Sequence, residues 1–183
     1  FYAAGIKPEL VTGLFVEDMS PYFVAHKRHV GNAFIEALTK IGGELREALA
    51  GDEQGSKMAA RIAAISLGGG MTFGDVRSDD QLQIMADGVL QMDPNIFDNF
   101  FAADSLPPYE LNEAVSAIQC PVHFAHGIPE LGSLFVEDDL DDLRAKGLDA
   151  TSTKFEGVGH SVHFDALEPF VRDLSAFLER IDR

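Results

Sequence analysis

Six histidines fall into three His-x-x-His pairs: His26/His29, His123/His126 and His160/His163. Imidazole exchanges protons near neutrality, with an ordinary pKa of roughly 6.5, and it also ligates zinc. Chelation within these pairs meets a geometric obstacle. His123 and His126 lie in an apolar run that reads as a strand, and residues i and i+3 of a strand point to opposite faces. His26 and His29 flank Lys27-Arg28, a positive pair that disfavours a cation. Solvated or core histidines are the alternative reading for both pairs.

The third pair has a different setting. Gly157-Val158-Gly159-His160-Ser161-Val162-His163-Phe164 follows an extended segment, Thr151 to Glu156, and precedes a helical pattern. Glycines past a strand end can hold an imidazole at the mouth of a sheet, where open α/β sheets place their ligands. Such a histidine suits general-base work; a hydrogen-bonded structural histidine in a Gly-rich loop is the other reading. A buried carboxylate accepting the Nδ1 proton would fix its tautomer and stabilise the imidazolium. Two strand ends offer one. Glu130 follows Val122 to His126 and Gly127-Ile128-Pro129, and Glu17-Asp18 closes the run Leu10 to Val16. Any of these acids could instead be a solvated loop carboxylate.

The elements needed to position these groups are legible as patterns. Leu10 to Val16 is apolar at nearly every position, as in a strand buried on both faces. Phe1 to Glu9 reads as the tail of a helix that Gly5 and Pro8 terminate. Phe34, Ile35, Leu38, Ile41, Leu45 and Leu49 recur at helical spacing over residues 31–50. Further helices are expected after Asp79 or Asp80 as cap, after Asp93-Pro94, and from Tyr109 to Ile118. From Pro121 strand and helix alternate: Pro121 to His126, 136–146, Thr151 to Glu156 and 166–182. That rhythm indicates an α/β sheet, whereas residues 20–110 read as helical without a strand.

Composition bounds the function. The 183 residues are 46% hydrophobic, enough for a sizeable core, and carry a net charge of −16. A field of that sign repels nucleic acid and anionic membrane surfaces, so neither is an expected partner. The single cysteine, Cys120, cannot form an internal disulfide. A soluble, cytoplasmic protein is expected.

Cys120-Pro121-Val122-His123-Phe124-Ala125-His126-Gly127, then Glu130, then Gly157-Val158-Gly159-His160 and the final amphipathic helix resemble the C-terminal part of an α/β-hydrolase. Pro8 to Asp18 resembles the sixth strand of that family and its approach. The resemblance implies an α/β fold comprising about strands six to eight, with a helical cap inserted after strand six. Residues 1–19 and 116–183 would be α/β core, and 20–115 the cap. It implies His160 as catalytic base and Glu130 as the preferred acid, with Asp18 or Glu17 as the alternative. The implied activity is hydrolysis of an ester, amide, epoxide or related bond through a covalent intermediate, without metal or cofactor. Phe97, Phe100 and Phe101 would line a pocket for a small, apolar substrate, or else pack a core.

Family members carry the nucleophile on a Gly-x-Ser-x-Gly elbow or an Asp variant, roughly two dozen residues before the end of strand six. Counting back from Asp18 places the elbow a few residues before Phe1. Ala64-Ile65-Ser66-Leu67-Gly68 is a degenerate likeness, but Lys57 to Ala63 reads as helix where a strand should precede the elbow, and Gly69-Gly70 cannot begin a stable helix. Ser66 is therefore the weaker candidate nucleophile. The rival reading is a non-catalytic binding or regulatory relative, or one chain of a two-chain assembly. The corresponding partner is the missing N-terminal half or a second copy of the chain.

Overall fold

In the computed structural model, residues 1–23, 30–51, 55–99 and 111–182 are described. Helix α1 (Tyr2–Ile6) leads through a 3-10 turn at Pro8–Leu10 into β1 (Leu14–Glu17). Next come α2 (Ala33–Ala50), α3 (Gly55–Ala63), β2 (Ser66–Gly68), β3 (Met71–Thr72), α4 (Phe73–Val76), α5 (Asp79–Val89) and α6 (Ile96–Asn99). The chain continues with α7 (Leu111–Ser116), β4 (Val122–His126), a 3-10 turn at Pro129–Leu131 and α8 (Glu137–Ala145). It closes with β5 (Ala150–Lys154), α9 (Val162–Asp165) and α10 (Leu167–Ile181). No helix among the described residues is long and apolar enough to cross a membrane.

The chain divides into two compact units, Phe1–His29 with Pro108–Arg183, and Val30–Pro107. The first is built on a parallel sheet of order β1-β4-β5, with Leu14 opposite Val122 and Val122 opposite Ala150. Strand alternation sorts its side chains. Leu14, Val16, Val122 and Phe124 join Val115, Phe135, Leu140 and Leu143 in one core, while Phe15 and Ala125 join Phe155, Val158, Val162 and Phe170 in another. Phe124 is fully buried and stacks on Phe135 at 4.5 Å between ring centroids. Burying a side chain of this size contributes about 1.5–3 kcal/mol.

The second unit packs α2, α3 and α5 around Ile41, Leu45, Met58, Ile62, Phe73, Leu82 and Ala86. Asn32 caps α2, its side-chain oxygen accepting from the N–H groups of Phe34 and Ile35 at 3.0 and 3.2 Å.

Several details differ from the sequence expectations. Gly5 does not end α1; it lies inside it, where a Cβ would stand 2.2 Å from the carbonyl oxygen of Ala114 on α7. The glycine answers a close approach of two backbones rather than a helix stop. All residues of β1 are half-buried, not enclosed on both faces. The cap of α5 is Ser78, not Asp79 or Asp80: its hydroxyl accepts from Gln81 N–H and the Gln81 side chain accepts from Ser78 N–H, a reciprocal capping box. The helical middle contains a short antiparallel hairpin, β2–β3. The units also part at other positions than 20 and 115, because Tyr22, Val115 and the half-buried Leu111 belong to the sheet's own core. Tyr109 lies outside the described residues.

Candidate functional site

The end of β1 carries Asp18, whose backbone N–H continues the ladder to Ala125 C=O at 2.8 Å. Its φ of 42° lies in the left-handed region, uncommon for a residue with a side chain and best tolerated by Asp and Asn. This turn puts a fully buried carboxylate among converging donors. Oδ1 accepts from Gly127 N–H at 3.2 Å and from the Ser133 hydroxyl at 2.5 Å. Oδ2 accepts from Leu134 N–H at 2.9 Å and from His160 Nδ1 at 2.9 Å. A carboxylate has about four acceptor positions, and here all are used. A bridge between Met19 and Leu134 carries the β1 line past Asp18 and brings the Ser133-Leu134 segment to it.

The His160 loop is held by backbone. Phe155 N–H donates to His126 C=O and Ile128 N–H to Val158 C=O, each at 2.8 Å. At this crossing a Cβ on Gly127 would lie 2.2 Å from the Val158 oxygen, and one on Gly159 would lie 2.2 Å from the Leu131 oxygen. Only glycine lets the two loops approach so closely. His160 then meets Asp18 with its side chain 24% exposed while Asp18 is 0% exposed. One end of the pair is sealed and the other reaches the surface. Since the carboxylate accepts, Nδ1 carries the proton and Nε2 is the basic nitrogen.

The other candidates are distributed as follows. Glu130 sits in the 3-10 turn, exposed, and its carboxylate has no hydrogen-bond or ion-pair partner among the described residues. The structure thus brings Asp18, not Glu130, to His160. The physical reason is the turn at Pro129–Leu131, which faces Glu130 to solvent while sending the Gly127 and Leu134 amides inward. Glu17 accepts instead from His163, through Nδ1 at 2.7 Å and the backbone N–H at 2.8 Å.

Ser66 is exposed on β2 in the second unit, preceded by α3 and followed by a hairpin turn, so its surroundings are not a strand–elbow–helix. Phe97 packs on Gly42, where a Cβ would meet it at 2.6 Å, and on the apolar core of that unit. Phe100 and Phe101 lie outside the described residues.

His123 and His126 point to opposite faces. His123 Nε2 pairs with Asp173 at 2.9 Å and Nδ1 with the Thr151 hydroxyl at 2.8 Å, tying α10 to the sheet. His126 lies against Phe135 and bonds Gly127 C=O through Nδ1, while its buried Nε2 has no partner among the described residues. His26 and His29 lie outside the described residues. Among those described, no group of three or more side chains is placed to hold a metal ion. Cys120 is buried and burial pushes its thiol pKa up, which disfavours a thiolate nucleophile.

Sequence reasoning missed Ser133 and the Gly127 and Leu134 amides. Nothing local marks Ser133, since its role exists only through a residue 115 positions away.

No protein-family model and no curated protein sequence matches the chain. Among solved structures it is similar to proline iminopeptidase from Mycobacterium smegmatis, with a TM-score of 0.59 and 15% identity, covering 98% of this chain and 60% of that one. Carboxylesterase CesB from Bacillus subtilis gives a TM-score of 0.44 and 20% identity over 76% of this chain and 44% of that one. Esterase E22 gives 0.44 and 14% over 79% and 50%. The first likeness shows a shared fold, of which this chain spans about 60% of the neighbour's length.

Proposed function

We propose, from the α/β-hydrolase fold that this chain shares with the iminopeptidase, that it forms the C-terminal part of a hydrolase. Its pair of acid and base is Asp18 and His160. In this reading β1, β4 and β5 are strands six, seven and eight, the helical unit Val30–Pro107 corresponds to the family's cap insertion, and the substrate is small and apolar. The nucleophile is contributed from outside residues 1–183, from the part of the fold that the chain does not span.

One observation supports the reading above the rest: a fully buried carboxylate, saturated by donors, bonded to an imidazole that reaches the surface. An acid whose acceptor positions are all engaged has a fixed orientation and therefore fixes the ring. With the Nδ1–H donated to Asp18, Nε2 takes a proton from the water that attacks the covalent intermediate, and the negative carboxylate stabilises the imidazolium. The proton then passes to the oxygen that departs as the bond between enzyme and substrate breaks. That oxygen is the serine oxygen of an acyl-enzyme, or the product's alkoxide oxygen where the intermediate is an ester on an enzyme aspartate. Ester, amide and epoxide hydrolysis share the attack of water activated by the imidazole.

The experiment is turnover of a chromogenic ester by the full chain carrying the nucleophile, wild type against His160→Ala. Loss of a positioned general base should lower kcat by roughly 10²–10⁴-fold while the circular dichroism spectrum is retained. Turnover unchanged by His160→Ala removes the reading.

A further inference from the structure

Beside the Asp18–His160 pair stands a second carboxylate–imidazole pair built from the same two segments. Glu17 precedes Asp18, and His163 follows His160 at the start of α9. The Glu17 Oε1 atom accepts from the His163 backbone N–H at 2.8 Å and from its Nδ1 at 2.7 Å, and Oε2 lies 2.8 Å from the same Nδ1. This pair is more open than its neighbour, with side chains 45% and 26% exposed for His163 and Glu17.

The bond to the main chain is the informative one. Helix α9 spans only Val162–Asp165, and its N-cap residue Ser161 makes no side-chain cap bond. The first N–H groups of any helix lack partners within it. Here the one on His163 is satisfied from β1 instead of from the local sequence. His160 therefore lies between two tethers. Upstream, Val158 C=O accepts from Ile128 N–H at 2.8 Å, a bond of backbone to backbone that no side-chain change removes. Downstream, the His163 N–H is held by the Glu17 carboxylate. Val158 and Val162, on either side of His160, are anchored in the apolar core with Ala125 and Phe155, whereas Gly157, at φ 72°, and Gly159 bring no side chain to the loop.

We propose that Glu17 and His163 are positioning residues for His160: the Glu17 carboxylate fixes the turn that follows the base and so holds the imidazole on Asp18. The inference rests on the reading of Asp18 and His160 as the catalytic pair. Consecutive residues at one strand end thus do different jobs. Asp18, turned inward by its left-handed backbone, orients the ring; Glu17, in phase with Phe15 on the other face of β1, fastens the loop that carries it.

The test is NMR on the full chain, following the His160 Nδ1–H resonance and its exchange with water, alongside steady-state kinetics. Glu17→Ala should speed that exchange by about tenfold, the effect expected for loss of one helix cap, and lower kcat by a similar factor with KM unchanged. Glu17→Gln keeps an oxygen able to accept the His163 N–H and should restore most of both. His163→Ala removes the ring contact but leaves the main-chain bond, so it should give the smaller shift; it also serves if Glu17→Ala does not fold. An unaltered His160 resonance and exchange rate in the variant that folds overturns this inference alone. Retained turnover in His160→Ala overturns it together with the hydrolase reading.

Discussion

The two units of this chain satisfy their polar groups in opposite ways. In Val30–Pro107 the buried side chains are apolar among the described residues, and the helix ends close locally: Asn32 on Phe34 and Ile35, Ser78 on Gln81, Asp75 on Thr72. Its ion pairs, Arg61 with Glu44 and Glu47, stay partly exposed and are worth little. The sheet unit instead contains Asp18, Ser20, His126, Ser133 and Asp139 in buried positions. Its key polar bonds join segments 109 to 146 residues apart. A local cap shapes one helix end. A long-range buried carboxylate can be satisfied only when several loops arrive together, so it couples the sheet's folding to the geometry of one imidazole.

That contrast can be broken experimentally, and Asp18→Ala should have the largest effect. It leaves two amides, a hydroxyl and an imidazole without their common acceptor. Removing one partner of a buried charged network costs roughly 3–5 kcal/mol, read by denaturant unfolding. Amide exchange of Gly127 and Leu134 should rise with it, while Leu45 and its neighbours on α2 keep their protection. A cost below about 1 kcal/mol, the scale of an ordinary exposed pair, would mean that the carboxylate does not organise the sheet unit.

The converse substitution, Leu45→Ala, removes a fully buried side chain from the helical unit. A cavity of this kind costs about 2–5 kcal/mol, depending on how far the surroundings collapse. Exchange should accelerate across α2, α3 and α5, and the His160 Nδ1–H resonance should stay in place. A shifted His160 resonance would show that the site depends on packing in the helical unit.

The same contrast explains what could be read from sequence. Elements carried by periodicity, such as the apolar stripe of α2 and the strands before Gly127 and Gly157, are local patterns and were legible. His160 stands out because Gly157 and Gly159 precede it in the sequence, although the backbone crossing that Gly127 and Gly159 permit is visible only in the fold. The choice among Glu17, Asp18 and Glu130 was not legible, since each lies at or just past a strand end. What separates them is the turn at Pro129–Leu131 and the donors that Ser133 and Leu134 bring from afar. The β2–β3 hairpin escaped because its strands are too short to show an alternation of period two. The Ser78 cap, missed in favour of Asp79 or Asp80, does have a local signal: Ser78-Asp79-Asp80-Gln81 has the spacing of a capping box.

The smallest expected effect lies in the helical unit, where one of these local closures carries a charge. The Asp75 carboxylate accepts from Thr72 N–H at 2.7 Å and from its hydroxyl at 2.9 Å. Those bonds favour the ionised form, the backbone one most, and lower the pKa of Asp75 below the ordinary aspartate range. In acid the unfolded chain therefore binds this proton more readily than the folded one. The stabilisation is present at and above the ordinary aspartate pKa and is lost as pH falls through the lowered value. Thr72 amide exchange, corrected for its intrinsic pH dependence, should lose protection in that acid window alone. Asp75→Asn keeps an acceptor oxygen but cannot titrate, so it should abolish the transition. The caps of α2 and α5 use an amide and a hydroxyl, which do not ionise in that range, so the amides of Phe34 and Gln81 should pass through the window without this step. A step of equal size at all three caps would instead report a general acid loosening of the helical unit and dissolve the distinction between its closures.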